Sequence, residues 1–258
     1  MAKNIERRRP EERVTDPASV ELLRKADAEG ASTCFDRMDT QATQCRFGKS
    51  GLCCRICHMG PCRITAKSPR GVCGADADTV VARNYLREVA SGTAAHADHG
   101  RHLALLLLKV ADGDGGGYQI RDERALRRNA RRYGIEEADR SKEDVARDLA
   151  LRMIDEFARQ GGPLATLALA PLKRQGVWGN RGVEPTGIDR TVVECLHRST
   201  MGVDHDYRSV LTHALRTALA DGWGGSRIAS IVGDILFGTP QPVSGQVNLG
   251  VLGESTVN

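Results

Sequence analysis

Residues 45–73 read CRFGKSGLCCRICHMGPCRITAKSPRGVC and hold six cysteines, spaced Cys45-x7-Cys53-Cys54-x2-Cys57-x4-Cys62-x10-Cys73. Short cysteine spacings let several sulfurs converge on one inorganic centre. Cys54, Cys57, Cys62 and Cys73 have the spacing of a single site, and four thiolates are what a cubane [4Fe–4S] cluster takes. Backbone N–H groups around Gly60, Gly71 and Gly74 can approach sulfur with no side chain in the way. The same stretch decides the fold class. A segment so rich in glycine and proline buries no apolar face of its own, so its order must come from what the cysteines hold.

Two other centres compete for these residues. A structural zinc also accepts four cysteines, but it leaves Cys53, beside Cys54, without a purpose. Residues 54–58 read CRICH, the pattern of c-type haem attachment; that reading leaves Cys62 and Cys73 unused. Cys45 and Cys53 are two ligands where a second cluster needs four. Cys34 and Cys195 can complete the set, although Cys195 lies in TVVECLHR, the setting of an inert buried cysteine. A twofold dimer is more economical, with Cys45 and Cys53 of each copy meeting on the axis. The function of Cys34 is left open by the sequence.

Working outward, 258 residues suffice for a hydrophobic core without disulfide staples. Net charge is only +4, with acids and bases intermixed, so no nucleic-acid groove is expected. Arg7-Arg8-Arg9 is not followed by the apolar stretch of a secretory signal. The run LALLLL (103–108) is too short to span a membrane. The expected location is the cytoplasm, where clustered cysteines bind metal or take part in catalysis.

The chain divides into an N-terminal extension (1–33) with one helix from Pro17 to Ala28, a cluster-binding segment (34–75), a helical domain (76–237) and an irregular connection (238–258). Asp76 or Asp78 caps a helix through Val80, Val81, Tyr85 and Val89 that ends near Gly92. A second helix covers 93–110 and buries Leu103, Leu106, Leu107 and Val110. Further helices are predicted at 122–133, from Ser141 to Phe157, and at about 190–200, 207–221 and 226–237. The fold class is mainly α.

The block 45–84, with TAAHADHGRH (93–102), MGVDHDY (201–207) and FGTPQPVSGQVNLGV (237–251), strongly resembles the N-terminal part of the anaerobic nickel–iron carbon monoxide dehydrogenases. The resemblance covers about residues 34–258. It implies a homodimer that oxidises CO with water to CO2, two protons and two electrons, and passes the electrons to a ferredoxin-type acceptor. It also implies an intrasubunit [4Fe–4S] cluster on Cys54, Cys57, Cys62 and Cys73, and a cluster shared between subunits, [4Fe–4S] or [2Fe–2S], on Cys45 and Cys53. The family's nickel–iron–sulfur centre is held by His and Cys residues of later Rossmann-like domains. No nickel ligand is carried over, because no cysteine follows Cys195. The expectation is a portion catalytically incomplete alone, with a separate chain as one possible source of the catalytic domains. The alternatives are a stand-alone iron–sulfur electron-transfer or redox-sensing dimer and a zinc-stabilised interaction module.

His96, His99 and His102 recur every third residue, rising about 4.5 Å per step on a helix. Each step falls about 60° short of a full turn, so they form a slow spiral rather than a chelating face. Surface histidines fit that spacing. The resemblance implies a proton relay, with Leu105 standing where the next histidine of the pattern belongs. His197, His205 and His213 are read as structural or exposed, and Trp178 and Trp223 as loop-packing residues.

Overall fold

The computed structural model describes residues 7–41 and 43–241. From residue 242 on, the expected C-terminal connection lies outside the described residues, as do residues 1–6. The chain forms two compact units, Met1–Cys53 and Cys54–Asn258.

In the first unit, α1 spans Pro17–Ala28, as the sequence predicts. Asp16 caps it by accepting the Ser19 N–H at 2.8 Å, and Pro17 presets the first turn. Two short helices fall where only loop is expected, α2 (Cys34–Thr40) and α3 (Arg46–Lys49). Local chemistry starts α2: Thr33 and Asp36 exchange reciprocal capping bonds. Among the described residues of this unit, the buried apolar side chains are Val20 and Leu23. Charge does more of the bracing. Arg13, almost wholly buried, meets Asp27 at 3.1 Å, Arg7 meets Asp27 and Asp36, and Arg8 meets Asp39.

The unit boundary falls inside strand β1 (Cys53–Cys54), which pairs with β2 (Cys62–Arg63). The rest of the second unit is helical. Its axis is α4, one continuous helix over Ala77–Ala111, capped by Asp76 through the Thr79 N–H. The expected break at Gly92 does not occur. A glycine inside a helix costs about 1 kcal/mol, and tertiary packing on both sides of Gly92 outweighs it. The buried residues explain the continuity. Thr79, Arg83, Leu86, Ala90, Thr93, Ala97, Gly100, Ala104, Leu107 and Ala111 alternate steps of four and three, a single seam along the helix. Of the expected stripe, Leu107 is fully buried and Leu103, Leu106 and Val110 are half-buried, and Val81 and Tyr85 lie exposed.

The remaining helices are α5 (Glu123–Arg132), α6 (Lys142–Ala158), α7 (Leu172–Arg181), α8 (Ile188–Arg198), α9 (Tyr207–Ala220) and α10 (Ser226–Phe237). Asp122 and Ser141 cap α5 and α6 where the sequence predicts. Helix α7 is unpredicted, its pattern diluted by Gly176 and Gly179. Helices α6, α8, α9 and α10 pack on α4; one core gathers Leu107, Leu126, Leu149, Met153, Ile188, Ile228 and Ile235, and a second joins Leu86 and Ala90 of α4 to Cys195 of α8 and to Val210 and Ala214 of α9. A π-helical turn, Asp221–Gly225, joins α9 to α10. Its glycines permit close approach: a Cβ on Gly225 would stand 2.5 Å from the Ala97 Cα, and one on Gly100 would overlap the Gly225 carbonyl. Trp178 and Trp223 meet edge to face at 5.6 Å between ring centres, so both pack helical elements rather than loops. No helix among the described residues is long and apolar enough to cross a membrane.

Candidate metal centre

Glycine gathers the backbone of Cys54, Cys57 and Cys62. A Cβ on Gly60 would stand 3.0 Å from the Cys54 carbonyl oxygen, 3.2 Å from the Cys62 nitrogen and 3.5 Å from the Cys57 carbonyl oxygen. Three cysteine backbones therefore close around a point that only glycine leaves empty. The Gly60 N–H closes the turn by donating to the Cys57 carbonyl at 3.2 Å. Gly71 also lies beside the site: a Cβ there would stand 3.6 Å from the Cys62 sulfur, in ordinary contact. Cys73 follows two residues later, in a turn closed by Gly71 N–H to Ala75 O and Gly74 N–H to Gly71 O, each 2.8 Å. Gly74 takes φ +90°, a value that L side chains rarely adopt.

A small core ties the ends of this segment together. Ile64, Ala75 and Val80 are buried, and both Cys54 and Cys73 pack against them. All four cysteines are half-buried, sheltered but reachable. Cys73 is also tuned. Burial raises its thiol pKa, but the Ala75 N–H and the Arg83 guanidinium favour the thiolate, and the net shift is downward. Arg83 Nη1 lies 3.7 Å from the Cys73 sulfur.

The donor set fits an iron–sulfur cluster: four half-buried thiols on one short segment, with Gly71 beside the Cys62 sulfur and a guanidinium beside that of Cys73. Among the described residues, no three His, Cys, Asp or Glu side chains are gathered closely enough to hold a single metal ion. The convergence is one of backbone turns and their shared core.

The other cysteines divide clearly. Cys45 is exposed and immediately precedes α3; Cys53 is half-buried in β1. Cys34 is exposed at the start of α2. Cys195 is fully buried in the bundle, its Sγ 3.4 Å from the Leu86 carbonyl, and burial pushes its thiol up to about 11. It is the inert core cysteine that its sequence setting predicts and is no candidate ligand.

His96, His99 and His102 lie exposed along α4 and do not converge. His96 Nδ1 stands 2.8 Å from Asp221 Oδ2, and Asp221 Oδ1 accepts the Ser226 hydroxyl at 2.7 Å. His102 Nε2 is 3.7 Å from Asp98 Oδ2. His213 is buried in α9. Two residues that contact the candidate site residues were not singled out from the sequence. Asp221 offered no local signal, being 125 positions from His96. Arg83 did offer one, a charged residue on the apolar seam of α4.

Residues 52–258 match the model of the Prismane/CO dehydrogenase family. Carbon monoxide dehydrogenase 1 of Methanosarcina acetivorans is 48% identical over 250 residues, which cover 96% of this chain and 40% of that protein. Carbon monoxide dehydrogenase 1 of Carboxydothermus hydrogenoformans is 42% identical, over 94% of this chain and 39% of its own length. Among solved structures, as-isolated nickel-free carbon monoxide dehydrogenase from Thermococcus sp. AM4 superposes with a TM-score of 0.85 at 47% identity, covering 98% of this chain and 41% of that one. The chain thus spans about 40% of the length of the curated relatives it matches.

Proposed function

This chain belongs to the Prismane/CO dehydrogenase family, and on that premise we propose that its residues form the electron-carrying portion of an enzyme that oxidises CO with water to CO2, two protons and two electrons. Cys54, Cys57, Cys62 and Cys73 hold a [4Fe–4S] cluster within the subunit. Cys45 and Cys53, with the same pair from a second copy, hold a cluster on a twofold axis. Once bound, such clusters supply one-electron transfer toward a ferredoxin-type acceptor. No nickel ligand is assigned to these residues, which are not expected to turn over CO alone.

The observation that carries this reading is the closure of Cys54, Cys57 and Cys62 around Gly60, with Cys73 tied to Cys54 through the Ile64–Ala75–Val80 core. Gly60 and Gly71 leave room beside the cysteines, and the N–H groups of turns can offset negative charge there. The lowered Cys73 pKa supports ligation, because the thiolate is the form that binds metal.

The histidines of α4 are assigned to proton handling. Asp221 holds the Nδ1 edge of His96, which fixes the ring and leaves Nε2 to take and release a proton. His99 and His102 continue along the same helix at the next two steps.

Protein purified without oxygen tests the reading through its metal content. Iron and acid-labile sulfide in equal amounts, with a reducible signal in electron paramagnetic resonance (EPR), are expected. Stoichiometric zinc without sulfide would overturn it.

A further inference from the structure

We propose that Arg83 is a positioning residue that balances the charge of the cluster assigned to Cys54, Cys57, Cys62 and Cys73 and thereby raises its reduction potential; this rests on that assignment. Arg83 is 1% exposed, on the buried seam of α4. Its Nη2 donates to the Asp204 carbonyl, its Nη1 points to the Cys73 sulfur at 3.7 Å, and its Nε is buried without a partner. Among the described residues no carboxylate forms an ion pair with it. The Asp204 carboxylate is engaged by Arg198 at 3.2 Å. A guanidinium out of water needs an anion out of water beside it. The group that the structure places at the free edge of Arg83 is the Cys73 sulfur, which carries negative charge when it ligates a cluster.

The surroundings hold this charge in place. One helical turn earlier, the Thr79 hydroxyl donates to the His205 carbonyl at 2.9 Å, so two successive seam positions of α4 grip the 204–205 connection between α8 and α9. With one nitrogen fixed by the Asp204 carbonyl, the planar guanidinium has its other edge committed to sulfur. Reduction adds one electron to the cluster and makes or breaks no bond to Arg83. A fixed cation at a ligand sulfur favours the more negative, reduced form, and hydrogen bonds to sulfur act in the same direction. Arg83 therefore contributes to where this cluster sits in an electron path, beyond bracing α4.

The test is a dithionite redox titration of the intact protein, purified without oxygen and followed on the EPR signal that Cys57→Ser abolishes. Iron content and the melting of the iron-free chain are measured alongside. Arg83→Met should retain iron per chain but lower the potential: at the wild-type midpoint, the ratio of reduced to oxidised cluster should fall about tenfold, equivalent to 59 mV for one electron. Arg83→Lys keeps the charge and should stay within about threefold of wild type, a smaller step on the same scale. An unchanged midpoint in Arg83→Met together with a lower melting temperature would reduce Arg83 to a structural brace and overturn the proposal. If Arg83→Met fails to fold, Arg83→Gln, which keeps a donor for Asp204 without the charge, decides on the same readings. A wild-type protein free of iron would instead overturn the cluster assignment, and the role of Arg83 with it.

Discussion

The cysteine segment (54–75) and the bundle that follows it are ordered by opposite means. The bundle buries Leu86, Leu107, Leu126, Leu149, Met153 and Ile235 almost completely, and its long helix is indifferent to Gly92. The segment has a core of Ile64 and Ala75 with Val80 from α4, one two-residue strand pair, and turns set by Gly60, Gly71 and Gly74. Hydrophobic burial suffices for the first. The second places its side chains around a polar purpose, and leaves four thiols half-exposed at its centre. The contrast separates residues that hold the fold from residues proposed to hold a cluster, and substitutions in the two regions should fail differently.

The largest effect belongs to the bundle. Leu149→Ala, at a fully buried position, should cost about 2–5 kcal/mol of stability. Chemical denaturation measures that loss, and the folded fraction should keep its normal iron content. Iron loss without loss of stability would break the proposed separation.

Gly60→Ala should behave in the reverse sense. Its Cβ would press on the Cys54 carbonyl at 3.0 Å and the Cys62 nitrogen at 3.2 Å. Forced contacts of this kind cost about 1–3 kcal/mol, and here the cost falls on the geometry of the thiols. Iron bound per chain should drop while far-ultraviolet circular dichroism of the bundle stays at the wild-type level. Full iron occupancy would show that the cradle around Gly60 is not needed.

A smaller effect is pH-dependent and confined to the bundle. Burial first, and the nearby Arg198 second, hold the His213 imidazole below its ordinary value of 6.5. The unfolded chain takes up this proton near 6.5 while the fold refuses it. Stability is therefore present above pH 6.5 and declines as pH falls toward the depressed folded value. His213→Gln should flatten that acid limb in thermal melts. An identical limb in the variant would assign the loss to other groups.

Much of this division was legible in the sequence, for identifiable physical reasons. The cysteine spacing is local, so the candidate site could be read directly. Helix starts at Pro17, Asp76, Asp122 and Ser141 were legible because a start signal needs only its own first turn. What stayed hidden depends on distant partners. The continuity of α4 rests on a seam buried against helices far along the chain, and the pairing of His96 with Asp221 crosses from α4 to the π-helical turn. The seam of α4 was not legible locally, because Val81 and Tyr85 are apolar yet exposed, whereas Arg83 is charged yet buried. Arg83 makes sense only once Cys73 and Asp204 are seen beside it. Helices α2 and α3 were missed because glycine and polar composition outweighed their short local signals.

One measurement separates a private set of ligands from a shared one: iron per chain in Cys53→Ser and Cys57→Ser, purified side by side without oxygen. Two private [4Fe–4S] clusters and one shared [4Fe–4S] cluster give about six irons per chain in the parent, about four when Cys53 is lost and about two when Cys57 is lost. Cys53→Ser should also weaken the dimer in sedimentation, while Cys57→Ser should leave it intact. Equal iron loss in both variants, with dimerisation unchanged, would contradict the assignment of these six cysteines to two differently owned clusters.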